Sequence, residues 1–108
     1  MSDRPERAIR ILLADASRIT TMGIRQVIEK ESDMEIVGVA SDGEEALEAA
    51  KRSKPTVIIS DVVMPGMDGY ELCRNVKDNP GLSDVPVILS TMKDSNRVEF
   101  FSKSRKSG

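Results

Sequence analysis

Thr56-Val57-Ile58-Ile59-Ser60-Asp61, followed by Val62-Val63-Met64-Pro65-Gly66-Met67-Asp68-Gly69, is the stretch on which the reading of this chain turns. A short run of mostly β-branched residues reads as a strand buried on both faces, and here it stops at an acid. The Pro/Gly loop behind it is turn chemistry. Asp61 is therefore expected to be held rigidly at a strand end and aimed at solvent. Ile9-Arg10-Ile11-Leu12-Leu13-Ala14 is an earlier run of the same kind, ended by Asp15. Val85-Pro86-Val87-Ile88-Leu89 is a later one, ended by the hydroxyl pair Ser90-Thr91. Polar strand ends at matching places predict a single site.

Outward from these strands the pattern alternates. A helix is expected from about Ser17 to Lys30, with Ile19, Met22, Val27 and Ile28 facing a core. Glu35–Ala40 reads as another strand. Ser41-Asp42-Gly43-Glu44 has the Ser-x-x-Glu spacing of a capping box. The helix it opens turns Ala46, Leu47 and Ala50 inward and stops before Pro55. Asp68-Gly69-Tyr70-Glu71 repeats the cap-and-acid spacing and starts a helix with Leu72, Cys73 and Val76 inside, broken by Asn79-Pro80-Gly81. Pro86 lies near the start of the fourth strand, where a missing amide is tolerated. Asp94 or Ser95 is expected to cap a last helix carrying Val98 and Phe101.

Alternating strands and helices, with strands apolar on both faces, imply an α/β fold, a doubly wound parallel sheet covered on each side. Right-handed crossovers bring the carboxyl ends of the strands to one edge, and ligands of such sheets bind there, where the strand order reverses. Asp15, Asp61 and Thr91 would meet at that edge although far apart in sequence.

Composition narrows the function. The 108 residues suffice for one domain, without room for a second. Tyr70, Phe100 and Phe101 are the only aromatic residues, so aliphatic residues and Met must build the core. No apolar run approaches the roughly 20 residues that span a bilayer, and the charged N-terminus lacks a signal-peptide segment. The chain has no histidine, which excludes His metal sites and His general bases. Its single cysteine, Cys73, cannot form an internal disulfide and is placed to pack. The expected location is cytoplasmic. Residues 93–108 hold five basic residues and two acids within a chain of net charge −2. That tail reads as a solvated helix end, where positive charge suits the dipole. With no helix-turn-helix pattern, neither direct nucleic-acid binding nor a membrane partner is expected. The glycines of the 65–69 loop match neither a Walker motif nor a dinucleotide fingerprint.

Four blocks, taken in order, carry a family resemblance: Ile11-Leu12-Leu13-Ala14-Asp15, Gly38-Val39-Ala40-Ser41-Asp42-Gly43-Glu44-Glu45-Ala46-Leu47, Asp61 through Gly69, and Val85-Pro86-Val87-Ile88-Leu89-Ser90-Thr91. Together they resemble the receiver domain of bacterial two-component response regulators over about residues 8–102. The resemblance implies a phosphorylation switch with a flavodoxin-like strand order, 2-1-3-4. Asp61 matches the phosphoacceptor, loaded from a histidine kinase or phosphotransfer protein. Asp15 and Asp61, with the backbone carbonyl of Val63, match Mg²⁺ contacts. Thr91 matches the hydroxyl residue that turns in to bond the phosphoryl oxygens. An unknown downstream protein would read the switch.

The chain also departs from the pattern. Ala16 stands where receivers place a second acid; in a register slipped by one residue, Ala14 would be the replacement. One carboxylate is missing either way, so weak Mg²⁺ binding is expected. Nothing matches the family's fifth parallel strand, the Lys at its end, or the fifth helix, so residues 1–108 read as a receiver domain truncated at its C-terminal end. Lys103 and Lys106 lie in the wrong element to replace that Lys. Without a fifth strand, Val85–Ser90 would be an uncovered edge, and dimerisation through it or through the last helix follows. Met92, where the family commonly has a small residue, reads as a gate beside the acceptor.

Two functions fit these features. The first is a phosphorelay receiver that switches partner binding. The second is a degenerate receiver that serves as a docking module without phosphorylation. An aspartate-nucleophile phosphatase would need a second acid two residues after the nucleophile, and Val63 stands there. No enzyme activity is expected beyond self-phosphorylation and self-dephosphorylation at Asp61.

Overall fold

The structure is a computed structural model and describes residues 8–90 and 98–101. Its elements run β1 (Ile9–Ala14), α1 (Arg18–Glu29), β2 (Met34–Ala40), α2 (Gly43–Ser53), β3 (Val57–Asp61), α3 (Gly69–Asp78), β4 (Val87–Ser90) and β5 (Val98–Phe101). They form one sheet in the order β2-β1-β3-β4-β5. The first four strands are mutually parallel and keep the expected 2-1-3-4 order.

Helices cover both faces, and the period of two along β1 assigns them. Leu12 and Ala14 point into a core with Ala46 and Ala50 of α2 and Leu72, Cys73 and Val76 of α3. Ile11 and Leu13 point the other way, toward Ile28 of α1. Ile58 of β3 is fully buried and pairs with both Leu12 and Val87. Ile58→Ala is expected to destabilise the fold by about 2–5 kcal/mol, through lost transfer energy plus a cavity. A denaturant titration measures it, and a loss below about 1 kcal/mol would mean the sheet centre collapses around the gap.

Caps set the helix starts. Ser17 accepts from the Thr20 amide at 3.2 Å and Asp68 from the Glu71 amide at 2.8 Å, as their spacings predict. At α2 the capping box sits one residue later than expected. Asp42 is the cap, accepting from the Glu45 amide at 2.8 Å, and Glu45 reaches back to the Ser41 amide at 2.9 Å. Asp and Ser cap about equally well, and here the Ser41 hydroxyl donates instead to Glu45 at 3.0 Å, leaving the cap to Asp42.

Two further expectations are corrected. Ile19, Met22 and Val27 do not face a core: they are 84%, 59% and 64% exposed. The buried side of α1 is set by Thr21, Ile24 and Ile28, one helical row. Thr21 can be buried because its hydroxyl donates to the Arg18 carbonyl at 3.0 Å. The last helix expected around Val98 and Phe101 is instead β5, which pairs antiparallel with β4 in the register Ser90↔Val98 to Val87↔Phe101. The β4 edge is therefore covered rather than open, and the expected edge-to-edge route to a dimer is closed there.

Candidate functional site

Register brings the two acids together. Ala14 of β1 pairs with Ser60 of β3, so the next residues, Asp15 and Asp61, are neighbours at the carboxyl rim of adjacent parallel strands. Such strands lie about 4.8 Å apart. Both backbones are pinned from outside. The Asp15 amide donates to the Ala40 carbonyl at 2.9 Å, and the Val62 amide donates to the Ser90 carbonyl at 3.0 Å. Asp61 itself pairs with Ser90 of β4.

Asp15 is buried, and its Oδ1 accepts the Ser17 amide at 2.7 Å. Burial pushes its carboxyl above the ordinary carboxylate value, the Ser17 hydrogen bond pulls it back, and the negative charge of Asp61 pushes it up again. Asp15 therefore senses the charge of Asp61, as a member of the same notch must.

The loop after Asp61 is fixed at both ends. Met64 is buried in the core, Met67 packs against it, and Gly66 makes the turn between them at φ +70°. Only glycine takes that conformation without strain. The Gly69 amide donates to the Val62 carbonyl at 2.8 Å. A Cβ on Gly69 would collide with the Asp61 carbonyl oxygen and lie 3.0 Å from Leu89 Cδ2. Val63, between these anchors, is exposed at the rim. Thr91 and Met92, expected as switch residue and gate, lie outside the described residues, as do Lys103 and Lys106. Cys73 is buried, and burial pushes its thiol above the usual value, the behaviour of a packing residue.

The donor set suits a hard cation. Two carboxylates and a carbonyl are all oxygen, and Mg²⁺ fills its remaining positions with water. Asp15 and Asp61, with the Val63 carbonyl, would hold it. Among the described residues no group of three or more His, Cys, Asp or Glu side chains could hold a metal. Ala16, exposed next to Asp15, supplies no oxygen from its side chain. The sequence reading missed the packing roles of Gly43, Gly69 and Asn75. Both Asp-Gly pairs read as helix-start punctuation, and only the folded chain shows what a Cβ at either glycine would strike.

Comparison with known proteins gives the family. The model of the response regulator receiver domain matches residues 11–104, and the chain belongs to that family. It is 37% identical over 81 residues to the protein-glutamate methylesterase/protein-glutamine glutaminase 2 of Methanospirillum hungatei, covering 75% of this chain and 22% of that protein. It is 37% identical over 94 residues to the transcriptional regulatory protein LiaR of Bacillus subtilis, covering 83% of this chain and 42% of LiaR. The chain thus spans less than half the length of either relative. Among solved structures, the response regulator domain of Thermotoga maritima CheB matches with a TM-score of 0.72 at 35% identity, covering 79% of this chain and 61% of that one. Receiver domains are phosphorylation-dependent switches, bind Mg²⁺ at an acidic site, and interact with histidine kinases or phosphotransfer proteins. Among the described residues no helix is long and apolar enough to cross a membrane.

The Asp15 shift has a consequence for stability. Its folded pKa lies above the ordinary carboxylate value, so the unfolded chain releases this proton first as pH rises. Stability contributed by the protonated form is therefore full below the ordinary value and is lost as pH climbs to the raised one. Asp15→Asn keeps an oxygen for the Ser17 amide and removes the charge. We expect it to melt higher than wild type at neutral pH, with the difference shrinking in acid. Equal melting temperatures at neutral pH would show that burial of the charge costs nothing.

Proposed function

We propose that Asp61 is the phosphoacceptor of this receiver domain and that residues 1–108 act as one phosphorelay unit. The observation that carries the reading is the Ala14↔Ser60 register, which sets Asp15 beside Asp61 at the strand-end rim. An Asp61 carboxylate oxygen attacks the phosphorus of a phosphohistidine on the partner kinase or phosphotransfer protein. A phosphorus–oxygen bond forms, the phosphorus–nitrogen bond breaks, and the departing imidazole takes a proton. Such transfer is mostly positioning and charge neutralisation. The chain supplies the positioning, by pinning Asp61 between Asp15 and Ser90 and anchoring the loop behind it.

Mg²⁺, when bound, neutralises the charge that would otherwise keep an anionic carboxylate and a phosphoryl group apart. Asp15, Asp61 and the Val63 carbonyl would hold it, weakly because Ala16 replaces an acid. By the family resemblance Thr91 is assigned the role of switch hydroxyl and Met92 that of gate, both outside the described residues. A downstream protein reads the change, and the domain's only chemistry is its own phosphorylation and dephosphorylation. The protein works in the cytoplasm, without contacting nucleic acid itself. Acetyl phosphate with Mg²⁺, followed by intact-mass measurement, tests the reading: one added phosphoryl group is expected.

A second reading has its own support. Among the described residues there is no three-acid cluster, which favours a degenerate receiver that docks a partner without phosphorylation. Folded protein that gains no mass under saturating Mg²⁺ would select it.

A further inference from the structure

We propose that Gly43 is a positioning residue for the acceptor loop, acting through Met67; this rests on the Asp61 reading above. Gly43 is the first residue of α2 and is buried. Its backbone does not occupy the left-handed region, so the glycine is needed for space rather than for conformation. A Cβ there would collide with the Met67 carbonyl oxygen and lie 2.7 Å from Met67 Cβ and 2.9 Å from Cγ. Backbone cannot swing aside as a side-chain tip can. On its other side Met67 Sδ accepts from Asn75 Nδ2 of α3 at 3.4 Å. Met67 is thus clamped between the first turn of α2 and the middle of α3.

The same short segment supports the other acid. The Ala40 carbonyl receives the Asp15 amide at 2.9 Å, three residues before Gly43. Residues 40–43 therefore touch both halves of the notch: Ala40 fixes Asp15, and Gly43 fixes the height of the loop that carries Val63 away from Asp61. Their connection through the Asp42 cap makes this junction a strut that sets how the acceptor loop sits over Asp15, whose distance from Asp61 the strand register already fixes. Groups that hold metal ligands in place commonly change affinity or activity by about 10–100-fold when altered.

Gly43→Ala tests the strut. In the metal-free variant, amide shifts at Asp61, Val62 and Val63 should move, with far-UV circular dichroism unchanged. Mg²⁺ affinity, read by calorimetry, and the rate of phosphoryl uptake from acetyl phosphate should each fall about tenfold. Adding Met67→Ala, whose clamp the first substitution has already broken, should cost little further in either readout. A merely structural glycine would lower the melting temperature without touching Mg²⁺ affinity, and that outcome, or a double variant whose two losses simply add, overturns the proposal. If Gly43→Ala does not fold, Met67→Ala carries the test: loss of the clamp should shift the same amides and weaken Mg²⁺, and wild-type behaviour overturns the strut. Wild-type protein alongside separates the failures. No uptake by wild type sinks the Asp61 reading, while the amide shifts and the Mg²⁺ titration still judge Gly43.

Discussion

Asp61→Asn should take up no phosphoryl group from acetyl phosphate under conditions that load the wild-type chain. The amide keeps the size and shape of the carboxylate, so β3 and its pairing to Ser90 should survive. What it lacks is the anionic oxygen that attacks phosphorus, and no rearrangement of the loop supplies one. The variant should also change its neighbour. Asp61's charge is one of the causes that raise the Asp15 carboxyl, so removing it should let Asp15 titrate closer to its ordinary value. That second effect is visible by carboxyl-carbon NMR without any phosphodonor, and it tests the shared notch independently of the chemistry. Two outcomes would count against the reading. One is an adduct that persists in Asp61→Asn and maps elsewhere. The other is an Asp15 titration that ignores the substitution.

The parts of this fold that depend on strands were legible in the sequence, and the reason is burial. A strand covered on both faces must be largely apolar, so β1 was bounded at Ile9 and Ala14 despite Arg10 near its less buried start, and the acids at the strand ends stood out. Parallel register did the rest, because it turns two strand-end residues into neighbours without any further interaction. Helix α1 was harder. Its sequence carries an apolar set, Ile19, Met22 and Val27, that competes with the row actually used, and the used row contains a threonine. Polarity misleads there because Thr21 satisfies its hydroxyl within its own helix. On the exposed side this leaves apolar surface on α1, and Ile9, Ile36, Val57 and Ile59 are only partly covered beneath it.

At β5 the error came from reading Asp94 or Ser95 as a helix cap and following the strand–helix alternation past it. Val98-Glu99-Phe100-Phe101 is rich in β-branched and aromatic residues, which favour a strand beside an unpaired edge. The glycines were opaque for another reason. A buried helix-start glycine and an ordinary turn glycine look alike until a Cβ is placed and its neighbours are known.

Ala16→Asp should strengthen Mg²⁺ binding by about ten- to a hundredfold, an estimate set by charge. Two unit charges about 4 Å apart at an effective dielectric near 20 interact by about 4 kcal/mol. Desolvation of the new carboxylate offsets much of that, and each remaining 1.4 kcal/mol or so is a factor of ten. The substitution should be tolerated. Ala16 is exposed, and the first turn of α1 just beyond it carries no acid, so a negative charge there meets the favourable end of the helix dipole. Without metal, however, the added carboxylate joins Asp15 and Asp61 and repels both. Metal-free Ala16→Asp should therefore be no more stable than wild type at neutral pH, yet gain more on Mg²⁺ addition. Calorimetry gives the affinity, and the fluorescence of Tyr70, the chain's single tyrosine and close behind the loop, gives a second readout. An unchanged affinity would mean that position 16 does not face the notch. The register that makes Ala16 the lost acid would then be wrong, and Ala14→Asp, at a fully buried position, would be the alternative to examine.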